Sequence, residues 1–227
     1  MFRRFIVAID GPAGSGKSTS AKLVAQRLNF LYIDTGAMYR AITFLAIKNN
    51  ILNDHEEITM LANSCEMKME FIEGNTKIQV DGVDLTDEIR SPEVNSHVSD
   101  ISKIAGVREA LVKKQRVMAA ENDGVVMEGR DIGTVVFPDA DVKIYLTATI
   151  DERSHRRAKE FAEQGKSIPV EEVRDNLVQR DKIDSTRAVS PLSKAQDAIE
   201  VDTSNPTIEE QVEIILRHVN KKRSKFP

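Results

Sequence analysis

Cysteine is almost missing from this chain. Cys65 stands alone among 227 residues, so neither an intramolecular disulfide nor a multi-cysteine metal site can form, and a reducing compartment, the cytoplasm, is the expected location. Long apolar runs are missing too. Arg3 and Arg4 precede a run that meets Asp10 after only five residues, too short for a signal-peptide core. No stretch approaches the ~20 apolar residues of a membrane span, and a soluble chain is expected. Nor does charge lean strongly to one side. The 32 Lys and Arg against 36 Asp and Glu leave a net charge of -4, which gives no reason to expect a nucleic acid or an anionic membrane as partner. There is no internal repeat and no low-complexity segment, and the terminal Lys221-Lys222-Arg223 reads as a solvated helix end.

What is present is a chain that is 41% hydrophobic, enough for one main core with room for a small insertion. The β-branched run Phe5 to Ile9 predicts a strand, and Ala21, Leu23, Val24, Ala25 and Leu28 predict a helix from Lys17 onward. A second unit follows, a brief strand at Leu31 to Ile33 and a helix carrying Met38, Ala41, Ile42, Leu45 and Ala46. From Cys65 to about Ser99 the pattern changes. Met67, Met69 and Phe71 alternate with charged residues, Gly74-Asn75 turns, and Ile78 and Val80 alternate again, which predicts an inserted antiparallel hairpin. Helical spacing returns through Ala110, Leu111, Val117 and Met118, followed by strands at Val125 to Met127 and Val142 to Leu146. Charged helices are expected at Asp151 to Gln164 and Val170 to Lys182, separated by Gly165 to Pro169. A strand at Ala198 to Val201 precedes a helix that Thr207 and Glu210 open at capping-box spacing. Strands alternating with helices imply an α/β fold on a parallel sheet.

Gly11-Pro12-Ala13-Gly14-Ser15-Gly16-Lys17-Ser18, followed by Thr19, fits the G-x-x-x-x-G-K-[ST] pattern between a strand and a helix. Glycines there let successive backbone N–H groups curl around phosphate oxygens at the positive end of a helix. Lys17 then reaches the β- and γ-phosphates and Ser18 can ligate Mg2+, so ATP or GTP with magnesium is the expected ligand. The loop alone does not choose among kinases, nucleotide switches and mechanical ATPases.

Arginines argue for a second anion. Arg40 lies one helical turn beyond Gly36, with Thr35 and Tyr39 close in sequence, and Arg130 and Asp131 follow a strand whose carboxyl end should line the ligand crevice. Arg153, Arg156 and Arg157 crowd one helix, and Arg180, Asp184 and Arg187 come after it. Singly, an arginine on a charged helix is ordinarily a solvated face. Together they suit a phosphate-bearing acceptor better than a water nucleophile.

Through GPAGSGKST, IDTGAMYR, VREAL, EGRDIGTVVFPDA and RDKIDSTRAVSPL, in order over most of the chain, the sequence resembles the bacterial cytidylate kinase family. The resemblance implies the P-loop nucleoside monophosphate kinase fold: a central parallel sheet at 1–63 and 99–227, a short lid at about 153–169, and a small CMP-side unit containing the hairpin at 64–98. It implies ATP-dependent, Mg2+-assisted phosphorylation of CMP and dCMP by direct in-line transfer; nothing in the sequence demands an oligomer or a macromolecular partner, and a monomer is expected. Arg40, Arg130 and Arg187 would hold the CMP phosphate, Ser99, Arg108 and Asp131 would face the base, Arg180 and Asp184 the sugar, and Thr35 and Tyr39 would complete the pocket. Lys17, Arg130, Arg187, Arg157 and Arg153 would stabilise the transferred charge. Ser99 is placed by its spacing from Arg108, and Ser102 is the alternative base contact. UMP or shikimate as acceptor, and a nucleotide-dependent regulatory switch, are the competing readings.

Overall fold

The computed structural model describes residues 4–72, 74–163 and 165–225. Met1 to Arg3, ahead of the first apolar run, and Gln164, the expected end of the first charged helix, lie outside them. Five parallel strands form the main sheet in the order β2-β6-β1-β7-β8: β1 Phe5–Asp10, β2 Leu31–Asp34, β6 Gly124–Gly129, β7 Val142–Thr147 and β8 Ile199–Asp202. β1 is central and covered on both sides, which is why FIVAID reads as an unbroken apolar run ending in one acid. Helices α1 (Lys17–Leu28) and α8 (Ile208–Arg223) pack on one face through Val24, Val212 and Ile215. α5 (Ala105–Ala120) covers the other through Val112 and Ala119. The expected capping box opens α8, with Thr207 and Glu210 bonded reciprocally.

Strand register builds the site. Asp10 pairs with both Gly129 and Tyr145, and Asp34 pairs with Glu128, so the carboxyl ends of β2, β6, β1 and β7 finish along one rim. The loop after β1, the segment after β6 and the start of helix α2 (Thr35–Lys48) therefore converge there.

The second sheet pairs β3 (Met67–Ile72) with β4 (Asn75–Val80) in the expected hairpin, opposing Met67 to Val80 and Met69 to Ile78, and adds a short β5 (Val83–Asp84). Two helices escape the sequence reading. α3 (His55–Ser64) is capped by Asp54, and α4 (Pro92–Ile101) occupies the last third of the stretch expected to be hairpin. Ser91 caps α4, accepting from the Val94 N–H at 3.2 Å, with Pro92 in the first turn where a missing N–H costs nothing. Ser99 accordingly sits on a helix. Ile58, Ile78, Ile89 and Ile101 join the second sheet, α3 and α4 to α2 and α5 in one core, and Cys65 lies within it at 3% exposure, burial raising its thiol pKa.

α6 (Ile150–Glu163) and α7 (Val170–Thr186) form an antiparallel pair closed over Val173 and Leu177. α7 runs four residues beyond the expected Lys182, so Arg180 and Asp184 share one face at i, i+4 spacing. Among the described residues no helix is long and apolar enough to cross a membrane.

Candidate active site

A cavity of about 430 Å³ opens along the rim, between the β1–α1 loop, α2, α4 and the α6–α7 pair. The loop from Gly11 to Ser18 forms one end. Gly14 and Gly16 hold positive φ (75° and 81°), a backbone that lets the loop curl and start α1 without a side-chain cap. Ala13, Gly14, Gly16, Lys17, Ser18 and Thr19 face the cavity, while Gly11, Pro12 and Ser15 lie beneath as its scaffold. Thr203, at the end of β8, donates to the Ser15 carbonyl at 3.1 Å. Lys17 donates to the Pro12 carbonyl at 2.6 Å, and burial, reinforced by the charge of Arg130, lowers its pKa to about 7.

β6 delivers the next four groups. Glu128 is buried, accepts a hydrogen bond from the Tyr32 hydroxyl, and has Ser18 and Lys17 within reach of its carboxylate. Burial, with the nearby Asp34 charge, raises its pKa. Thr35 donates to the Glu128 carbonyl at 2.7 Å, crossing over Gly129, where a Cβ would stand 2.7 Å from the Thr35 hydroxyl. Arg130 turns toward α7 and binds Asp184 at 2.9 Å. Asp131 turns the other way, to the Arg108 guanidinium at 2.5 Å, and both side chains are almost wholly buried. Beneath them Asp10 accepts the N–H groups of Ile132 (2.8 Å) and Gly133 (2.7 Å), and burial still carries its pKa up to about 6.

α2 adds Thr35, Tyr39 and Arg40. Asp34 caps this helix through the Ala37 N–H at 3.0 Å and grips Arg40 at 2.9 Å; burial alone would raise its pKa, but the Arg40 charge and the cap hold it below the ordinary value. Arg108 lies 5.2 Å over the Tyr39 ring and donates to the Ser102 carbonyl at 3.1 Å. Ser99 and Ser102 both line the wall, but the Ser102 hydroxyl is engaged on the Ser99 carbonyl at 2.9 Å. From α7, Arg180 faces the cavity, its pKa lowered to about 10 by burial and by Arg130, and Arg187 lies 3.5 Å from Asp184. Arg157 reaches the cavity from α6, stacked on Phe161 and paired with Glu160 at 2.6 Å.

All ten residues expected at the acceptor thus meet in one cavity, together with Lys17 and Arg157. Arg153 does not line it. Its side chain is buried behind the phosphate loop. Sequence reasoning passed over Glu128, Asp34, Tyr32 and Asp10. Glu128 and Asp34 had a readable signal, since each is an acid at the carboxyl end of a strand beside the phosphate loop.

Among the described residues, Tyr39 Oη, Arg108 Nε, Arg180 Nε and Arg187 Nη2 are buried at this cavity without a hydrogen-bond partner. Buried polar atoms are rarely left so, and three of these are guanidinium donors. The arrangement is that of a container for an anionic, hydrogen-bonding ligand set between a phosphate loop and a buried Arg–Asp pair.

The chain is 46% identical over 227 residues to the cytidylate kinase of Bacillus licheniformis, covering 99% of this chain and 100% of that one. It is 51% identical over 216 residues to the cytidylate kinase of Desulforamulus reducens, covering 95% and 96%. Among solved structures, an uncharacterized protein from Eubacterium ventriosum aligns with a TM-score of 0.51 at 12% identity over 96% of this chain and 99% of that one, a likeness of fold alone. The cytidylate kinase profile matches residues 7–221, and with these relatives it places the chain in the cytidylate kinase family.

Proposed function

We propose that the protein transfers the γ-phosphoryl of ATP to CMP and dCMP, giving CDP and dCDP. The observation that carries this reading is the Arg108–Asp131 pair at 2.5 Å, buried in the wall of the same cavity that the phosphate loop lines. Cytosine presents an amino donor at position 4 and acceptors at N3 and O2, and Asp131 can accept the one while Arg108 donates to the others. Uracil reverses the pattern at positions 3 and 4 and would leave buried groups unpaired, a loss that discriminates by up to roughly 10⁴-fold.

In this reading the loop amides and Lys17 hold the ATP phosphates, Arg40, Arg130 and Arg187 hold the acceptor phosphate, and Arg180 and Asp184 take the sugar. A phosphate oxygen of CMP attacks the γ-phosphorus in line as the bond to the β-phosphate oxygen breaks, and ADP leaves. That attacking oxygen is already ionised, so no general base is required. Lys17, Arg130, Arg187 and Arg157 stabilise the charge on the transferred group. The Ser18 hydroxyl and the Glu128 carboxylate form an oxygen donor set suited to a hard divalent cation, and they are the residues that would hold Mg2+. Bound there, the cation would neutralise phosphate charge and orient the β- and γ-oxygens.

Residues 64–98 serve as the monophosphate-side unit and 153–169 as the lid, which excludes water and suppresses ATP hydrolysis. The protein works as a cytoplasmic monomer on small-molecule substrates, and its net charge of -4 gives no reason to expect a nucleic acid or anionic membrane as partner.

The test is ADP formation from MgATP with CMP, dCMP, UMP, AMP, GMP and shikimate supplied separately beside a no-acceptor control. Turnover preferring CMP and dCMP is expected. Equal slow hydrolysis in every tube would sink the reading and favour a nucleotide switch.

A further inference from the structure

Arg153, like Arg156, does not line the cavity, and what it holds instead is specific. Its Nε donates to the Ala148 carbonyl, just beyond β7, at 3.2 Å. Its Nη1 donates to the Ala13 carbonyl at 3.1 Å, in the phosphate loop, and forms an ion pair with the Asp181 carboxylate at 2.7 Å, on α7. The side chain is 8% exposed, so solvent screens these contacts little.

Both ends of this bridge are themselves anchored. The Ala13 methyl packs with Val173 and Leu177 of α7, and the neighbouring Gly14 lies so close that a Cβ there would stand 3.1 Å from the Arg153 Cβ. The tip of the phosphate loop is therefore seated on α6 and α7 by side chain and by carbonyl. Asp181 follows Arg180 directly and precedes Asp184 by one helical turn. Fixing Asp181 fixes the rotation of α7 about its axis, and with it the aim of Arg180 into the cavity and of Asp184 onto Arg130.

We propose that Arg153 is a positioning residue that couples the ATP-side loop to the acceptor-side face of α7, so that ATP bound on one side sets the geometry that receives the monophosphate on the other. This rests on the reading of the cavity as a two-nucleotide site. Such coupling is reciprocal: each nucleotide tightens binding of the other by the same factor. A planar fork with two nitrogens committed to three acceptors is needed for it, which lysine cannot reproduce.

The test uses Arg153→Lys, Asp181→Asn and the double variant, each checked for native far-UV circular dichroism and its thermal midpoint. Calorimetry reads CMP affinity with and without a non-hydrolysable ATP analogue and Mg2+, and steady-state kinetics reads KM and kcat. In the wild type the analogue is expected to tighten CMP binding, and in Asp181→Asn that enhancement falls about tenfold, within the usual range of coupling between two sites. Asp181→Asn retains both carbonyl contacts of Arg153, so its affinity for the analogue alone shifts much less than its coupling. The double variant is expected to be no worse than Arg153→Lys, because the two residues act as one unit. Losses that multiply, or a loss confined to kcat in Arg153→Lys with coupling intact in Asp181→Asn, would overturn the proposal and make Arg153 a ligand of the reacting phosphates. A wild type that turns over CMP yet shows no enhancement by the analogue would also overturn it. A wild type that ignores CMP altogether would instead overturn the reading on which the proposal rests.

Discussion

The Arg108 guanidinium and the Asp131 carboxylate meet at 2.5 Å with side chains 2% and 6% exposed, so neither charge has water to fall back on. Asp131→Asn keeps an acceptor oxygen but strips Arg108 of its counter-charge, and breaking a buried pair from one side costs ~3–5 kcal/mol. A fall of roughly 10 °C in thermal midpoint is expected for a chain of this size. Because the amide can also donate, to the carbonyl that uracil presents at position 4, the ratio of kcat/KM for CMP over UMP should drop by about 100-fold. Steady-state kinetics with both acceptors checks this, and an unaltered ratio would detach Asp131 from base recognition.

Tyr32→Phe tests the arrangement around Glu128. The ring should stay edge-on to Phe71, 5.1 Å away, while the hydroxyl donor to Glu128 is lost. A hydrogen bond to a charged group is worth ~1.5–3 kcal/mol, so the Mg2+ concentration giving half-maximal rate should rise about tenfold. A magnesium titration that overlays the wild type would remove Tyr32 from the proposed cation site.

Lys17 gives a pH signature. Burial and Arg130 bring it down to about 7, so the free enzyme loses this charge as pH rises through neutrality. ATP phosphates favour the ammonium form. Binding of MgATP at pH 8 should take up a proton, which calorimetry in buffers of different ionisation enthalpy measures, and kcat/KM for ATP should decline above pH 7. The stability sign is the opposite: between about 7 and the ordinary lysine value of 10.5 the unfolded chain binds more protons, so this group's contribution raises stability as pH climbs.

Gly11→Ala probes the scaffold. A Cβ there would sit 2.0 Å from the Leu146 carbonyl oxygen, a backbone atom of the neighbouring strand that cannot step aside. Denaturant titration should show a loss of about 3 kcal/mol or more.

Much of this was legible beforehand because it depended on spacing. The strand, glycine loop and Lys17 are adjacent in the chain, and the hairpin's alternation follows from its pleat. α4 was legible in part, since Ser91-Pro92 is a helix start that the alternating pattern before it obscured. The pairing of Tyr32 with Glu128 was not, because residues 96 positions apart in sequence meet only through parallel register. Nor was the direction of Arg153: helical periodicity gives a residue's face, but which carbonyls a long side chain finds is decided by what lies behind that face.

Cys65, the chain's single sulfhydryl, is sealed in the core of the second sheet. Thiol-directed reagents therefore find a chemically silent surface. Ser167, exposed in the segment between α6 and α7, differs from cysteine by one atom. A fluorophore attached at Ser167→Cys would be the molecule's only thiol-linked label, and it would report whether this segment moves when nucleotide is added.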